Sequence, residues 1–265
     1  MSGRDRLSPA FDPLLLTRIE DAGLNASAPP QQRWLDGWLL RFSPGKAKRA
    51  RCVNAVALGK LALDDKLALA AAVYTEAQLP MVVRITPFSA PSDLDTQLEA
   101  RGWPRIDDTR VMVCTALDAL ADAPLPPGLV WQALGLSALA QGVGQLRGSP
   151  LSHRQAHAQR LELSPVPFRA LAIRREADGA LLACGQTARE AELVGLYDVF
   201  TSEAARGQGL AQRLCLRLLA QAREQGARNA YLQVEGDNQA ARSVYQRLGF
   251  ADGYAYHYRH APQAP

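Results

Sequence analysis

Lysine is scarce in this sequence, and none follows Lys66. The phosphate loop G-x-x-x-x-G-K-[ST] is therefore excluded beyond that position. Cysteine numbers four, Cys52, Cys114, Cys184 and Cys215, far apart and with no C-x-x-C pair. That excludes zinc ribbons and thioredoxin-like motifs; the four read as buried thiols in a reducing compartment. The histidines, His153, His157, His257 and His260, lack the spacing of a metal site. No metal is expected, and His153 and His157, at i and i+4 without a matching third ligand, read as one face of a solvated helix. No apolar run approaches the roughly 18–20 residues that span a bilayer, so no membrane association is expected. The opening MSGRDRLSPAFD lacks the apolar segment of an export signal, and a cytoplasmic location is expected. Aromatic residues are 6% of the chain. No dense basic patch is interleaved with them, which argues against nucleic acid as a partner.

What is present is ordinary globular material: 265 residues, 48% hydrophobic and 21% charged. That length admits one large domain or two compact ones. Residues 1–125 carry 15 Lys/Arg and 15 Asp/Glu, so the whole net charge of +4 lies in the second half. A mildly positive half suits a polyphosphate-bearing ligand. One local cluster, Lys46-Ala-Lys48-Arg49-Ala-Arg51, reads as a solvated strand edge, or as a site for an acidic substrate or partner.

Asp12-Pro13 predicts a helix start, and Gly23 its end. Trp34–Phe42 and Cys52–Leu58 read as strands joined by a turn at Ser43-Pro44-Gly45. A helix over 63–78, a strand over 81–86, a helix over 94–100 and a strand over 109–116 follow. After a strand at 129–133, helices are expected over 137–147 and 152–163. Phe168–Arg174 and Leu181–Arg189 alternate as a hairpin around Asp178-Gly179. A long strand spans 192–201, and Leu210–Gln225 is the clearest amphipathic helix in the chain. A strand (230–234), a helix (239–248) and a strand (254–258) close it. The segment 118–128 is rich in proline and lacks periodicity, as a linker does. Residues 1–117 and 129–265 are the expected domains. Both end as strand, helix, Gly-aromatic and strand, with Gly102 and Gly249 standing 147 positions apart. That suggests two copies of one fold.

The chemically informative segment is Val199-Phe-Thr-Ser-Glu-Ala-Ala-Arg206-Gly-Gln-Gly209-Leu-Ala211. A strand enters a glycine-containing turn, which enters a helix N-terminus. Unpaired amide hydrogens at the positive end of a helix make an anion site. Gly207 and Gly209 let a ligand approach the backbone, and Arg206 adds a charged donor. The dinucleotide fingerprint G-x-G-x-x-G is not met, because Gln212 stands where its third glycine would be. Arg206-x-x-Gly209-x-Ala211 resembles instead the acyl-coenzyme A loop of the GNAT N-acetyltransferase superfamily. Asn238-Gln-Ala-Ala-Arg-Ser-Val-Tyr245-Gln-Arg-Leu-Gly249-Phe250 resembles the helix that follows in that family. The resemblance covers most of residues 129–260.

The resemblance implies an α/β (α+β) chain of two GNAT-like domains, each with a mixed, mostly antiparallel sheet flanked by helices. It implies acetyl-CoA as acyl donor and a primary amine, of a small molecule, as acceptor. Arg206, Gly207, Gln208, Gly209, Leu210 and Ala211 would hold the pyrophosphate. Val199, Phe200 and Thr201 would bond the pantetheine arm as a strand, and Asn238 would contact the cofactor. Tyr245 would protonate the leaving thiolate, and an amide near Phe200 would polarise the thioester carbonyl. Glu203 stands where the family often has proline. Read from its own neighbours alone, Tyr245 is a core residue on the apolar face with Ala241, Val244 and Leu248, and Asn238 a helix cap.

An ammonium must lose a proton before it attacks, and Asp198 and Glu235, at strand ends, are the candidate bases. Glu192 and Glu203 are weaker ones. A non-catalytic acyl-CoA sensing module and a protein lysine or N-terminal acetyltransferase remain alternatives. In the first half the 147-residue spacing puts Leu98 at the place of Tyr245 and Pro91 at that of Asn238. Asp64 and Asp65 open its helix and would repel phosphate. That half is expected to have lost acyl-CoA binding and to shape the acceptor pocket, with Trp34, Trp38 and Trp103 buried in its core. Arg41 is a further candidate for that pocket.

Overall fold

In the computed structural model, which describes residues 7–262, the first helix begins where Asp12 predicts. Residues 1–6, part of the stretch without an export signal, lie outside those described. Asp12 Oδ1 accepts the Leu14 amide at 3.0 Å and Pro13 opens α1 (Pro13–Ala26). Gly23 does not end it. The helix runs on to Ala26, and the glycine lies inside it beside Gln233, whose Nε2 would be 2.9 Å from a Cβ there. Its smallness serves packing instead of termination.

Trp34–Phe42 is not one strand. It folds back as the hairpin β1 (Gln32–Leu35) and β2 (Trp38–Arg41) about Asp36-Gly37, both at positive φ. Asp-Gly is a favoured dipeptide for such a two-residue turn. Of Cys52–Leu58 only β3 (Val53–Asn54) pairs. Helix α2 (Leu63–Glu76), β4 (Val82–Ile85), α3 (Leu94–Ala100) and β5 (Arg105–Cys114) complete the first half. The second contains β6 (Leu129–Leu134), α4 (Leu136–Leu146), α5 (Leu151–Glu162), β7 (Phe168–Arg175), β8 (Leu181–Glu190) and β9 (Leu193–Thr201). It continues through α6 (Leu210–Glu224), β10 (Asn229–Glu235), α7 (Gln239–Arg247) and β11 (Ala251–His260).

Two separate sheets were expected, and the structure corrects this. All strands join one mixed, mostly antiparallel sheet in the order β1-β2-β3-β4-β11-β5-β10-β9-β8-β7-β6. Only β3–β4 and β9–β10 are parallel. Each half's closing strand lies beside the other half's parallel pair: β11 on β4, and β5 on β10. The order therefore reads alike from both edges. Helices α2 and α6 begin 147 residues apart, and α3 and α7 end 147 apart.

Helix α6 covers one face of the second half, where Leu210, Leu214, Leu218 and Ala222 meet Val194, Leu196, Ala230 and Leu232. Helices α1, α4 and α5 cover the opposite face. The segment 118–128 is strapped along α6. Arg217 pairs with Asp122 at 2.6 Å, and Arg223 Nη1 donates to the carbonyls of Leu117 and Leu120 at 3.3 and 3.1 Å. Trp38 and Trp103 are buried in the first half's core, as expected, but Trp34 is 64% exposed. The four cysteines are buried free thiols.

Candidate active site

Strands β9 and β10 run side by side only from Leu193–Asn229 to Leu196–Leu232. Beyond Leu196 the edge of β9 that faces β10 has no partner strand. A bulge accompanies the parting. Asp198 and Val199 stand opposite the single residue Gly185, and Asp198 takes a positive φ of 53°. A bulge bends its strand and redirects side chains. The pantetheine-binding candidates Val199, Phe200 and Thr201 occupy this freed edge, and Thr201 Oγ1 is buried without a hydrogen-bond partner.

The chain then passes through a short turn into α6. Gly207 and Gly209 have φ of 77° and 71°, the left-handed region glycine tolerates best. A Cβ on either would meet nothing within 4 Å. No side chain caps the helix. Among the described residues, the amides of Gly207, Gln208, Gly209, Leu210, Ala211 and Gln212 donate to no main-chain oxygen outside α6, and no side chain accepts from them. Arg206 is exposed beside them. Six open donors at the positive end of a helix dipole, with room in front, fit a diphosphate.

Asn238 caps α7, its Oδ1 accepting the Ala241 amide at 3.1 Å. Helix α7 has no fully buried residue. Its half-buried Tyr245 packs edge-on to Phe250 with centroids 6.1 Å apart. No protein group among the described residues bonds the Tyr245 hydroxyl. Burial pushes its pKa well above the usual phenol value, so it keeps its proton at neutral pH.

Asp198 carries more partners than its position at a strand end suggested. His157 Nε2 and Arg147 Nη1 each lie 3.1 Å from its carboxylate, and Gln186 Nε2 donates at 2.8 Å. Desolvation would raise its pKa, but bonding to His157, with the charges of Arg147 and Arg160, overrides this and holds it far below the usual range. His157 is thus not a residue of a solvated face, as its spacing predicted. Its side chain is 19% exposed and bound to Asp198. Arg147 also lies over the Phe200 ring, 5.5 Å from its centroid. No sequence signal marked Arg147. Glu235 is exposed at the end of β10. Glu192 pairs with Arg18 away from the site, and Glu203 is exposed in the turn. Among the described residues no group of three or more His, Cys, Asp or Glu converges as a metal site would.

In the first half the corresponding turn is closed. The Asp36 carboxylate accepts the amides of Lys60 and Leu61 at 2.8–3.0 Å and pairs with Lys66 at 2.9 Å. Lys60 and Leu61 stand 147 residues before Gly207 and Gln208. The chain's own carboxylate thus fills the place left open in the second half.

Parted parallel strands with an open amide turn at their end are what the resemblance of the two motifs to the GNAT family leads one to expect. Residues 145–250 match the model of the acetyltransferase (GNAT) family. An uncharacterised N-acetyltransferase of Bacillus subtilis (strain 168), YobR, is 26% identical over 233 residues, covering 86% of this chain and 91% of its own. A GCN5-related N-acetyltransferase from Kribbella flavida superposes with a TM-score of 0.68 at 18% identity, over 93% of this chain and 95% of that one. A tandem GNAT protein from the clavulanic acid biosynthesis pathway superposes with a TM-score of 0.61 at 16% identity, over 76% and 70%. The second half of the chain thus carries a GNAT acetyltransferase domain over the matched residues 145–250. The family implies acetyl-CoA as donor.

Proposed function

We propose that this protein transfers the acetyl group of acetyl-CoA to a primary amine of a small molecule. The observation that carries the proposal is the row of open amides from Gly207 to Gln212, set where β9 and β10 part. Bound acetyl-CoA supplies the thioester carbonyl that the amine attacks. The amides of Gly207, Gln208, Gly209, Leu210 and Ala211, with Arg206, hold the diphosphate. The free edge at Val199, Phe200 and Thr201 takes the pantetheine arm as a strand would, and an amide near Phe200 polarises the carbonyl. Asn238, exposed at the start of α7, contacts the donor while capping its helix. The neutral Tyr245 hydroxyl gives its proton to the departing sulfur.

Asp198 itself is a poor base, since three donors already stabilise its charge. Its part is to receive the His157 Nε2–H, which leaves Nδ1 with the lone pair that takes the ammonium proton. Glu235, on the same strand face as Tyr231 and Gln233, is the second candidate base.

The two halves read as copies of one GNAT-like fold, 1–117 and 129–265, joined by 118–128, with the donor site kept only in the second. The mirrored strand order, the constant 147-residue spacing and the Asp36 carboxylate on the first half's turn support this. Calorimetry with CoA and acetyl-CoA tests donor binding, and thiol release with a panel of amines tests transfer. Binding without thiol release from any amine would leave a sensing module; absence of heat with either ligand would remove the enzyme reading.

A further inference from the structure

Between the two halves, on the face opposite α6, lies a layer of tyrosines with the buried Arg41 and Arg84 and the half-buried Arg49 and Arg160. Arg84 meets a carboxylate there, although its Nε, too, is buried without a hydrogen-bond partner. It forms a fork with the Glu20 carboxylate, which also accepts the Tyr254 hydroxyl at 2.6 Å. Arg41 and Arg160 bond the end of α1, through Ser27 Oγ at 3.2 Å and the Ala26 carbonyl at 2.9 Å. The negative end of that helix accounts for both.

Arg49 has no such explanation. Its Nη1 donates to Gln233 Oε1, which also accepts the Tyr256 hydroxyl at 2.8 Å. Its Nε is buried with no partner. Its guanidinium lies 5.9 Å from the Tyr197 ring centroid. Among the described residues no carboxylate pairs with it. A half-buried cation held only by neutral groups has lost part of its hydration without gaining an anion in exchange, and a carboxylate would complete it.

Its location gives this meaning. Tyr197 and Gln233 are the first residues past Leu196 and Leu232, where β9 and β10 part. Arg49 therefore sits at the mouth of the split, on the face away from the open turn before α6. Asp198 and its His157 neighbour follow Tyr197 directly. The basic run 46–51 is accordingly not a solvated strand edge: Lys48 pairs with Asp107 and Arg49 reaches across to β10.

We propose that Arg49, supplied by the first half, receives the carboxylate of the acceptor, so that the acceptor is an amine that also bears a carboxylate. A guanidinium presents paired N–H donors that match a carboxylate, and the Tyr197 ring beside it offers apolar surface to the carbon skeleton between acid and amine. This rests on the reading of the cleft as an acyl-transfer site.

The test uses matched pairs of acceptors, each an amino acid and the amine left when hydrogen replaces its carboxylate, with thiol release as readout. The expected kcat/KM favours the acid member by about tenfold or more, as for loss of a buried charge pair. Arg49→Gln is expected to cut that ratio about tenfold through KM, and Arg49→Lys to restore part of it. CoA titration of each variant by calorimetry reports whether the fold and donor site persist. Equal turnover of both members by the wild type, or an equal loss for both in Arg49→Gln, overturns the proposal while the acyl-transfer reading stands. Failure of CoA to bind the wild type removes both.

Discussion

The carboxylate of Asp36 accepts the Lys60 amide at 2.8 Å, and Lys60 stands 147 residues before Gly207, whose own amide lacks such an acceptor. The turn before α2 is thus closed by an internal anion, and the turn before α6 is open. These contacts tie the first half's hairpin to α2 through Lys66.

Asp36→Asn is expected to destabilise the fold. The amides of Lys60 and Leu61 and the Lys66 ammonium hold the Asp36 pKa down at about 2. A depressed carboxylate contributes stability above its unfolded value of about 3.9, and that contribution fades as pH falls towards the folded value. Denaturant melts of wild type and variant should therefore differ at neutral pH and converge as pH drops through this window. A constant gap would show that the carboxylate charge is not responsible.

Tyr245→Phe should lower kcat by about a hundredfold or more, the usual scale of a lost general acid. CoA affinity, measured by calorimetry, should stay within about twofold, because the diphosphate contacts are elsewhere. Unchanged turnover would return Tyr245 to the core role its neighbours also allow.

Gly209→Ala places a Cβ at a left-handed position, costing about 1–2 kcal/mol of stability. The new methyl also faces the space where a diphosphate would meet the helix end. A lower melting temperature together with weaker CoA binding is expected; a lower melting temperature alone would mean that the ligand does not approach this turn.

Asp198→Asn should reduce turnover by at least about tenfold, since His157 loses the carboxylate that fixes its proton on Nε2. Because the native pKa of Asp198 is depressed, its stabilising effect is present above about pH 3.9 and lost on acidification. The stability deficit of the variant should thus shrink below that pH. His157→Ala should lose turnover to a similar degree while CoA affinity persists.

Much of the second half was legible in the chain. Leu210–Glu224 declares its amphipathic stripe within four turns, and the Asp178-Gly179 hairpin was marked by its turn residues. The Asp36-Gly37 turn carried the same signal between two tryptophan-bearing runs, yet the long apolar stretch over 34–42 obscured it. His157 offered only its spacing from His153, which says nothing about a carboxylate 41 positions further on. Arg49 looked like a solvated charge because its partner, Gln233, is 184 residues away.

The sequence by itself determined what depends on neighbours within a turn or two: the helix starts at Asp12 and Asn238, the amphipathic face of α6, and the glycines that open its first turn. Tertiary structure alone decided that β11 and β5 exchange places within one sheet, that Asp36 fills the first half's turn, and that Arg49 reaches the parted strands. The reason is physical. Caps and helix faces follow from dihedral preference and short-range periodicity, whereas strand order and buried ion contacts depend on which distant edges and side chains the packed core brings within bonding distance.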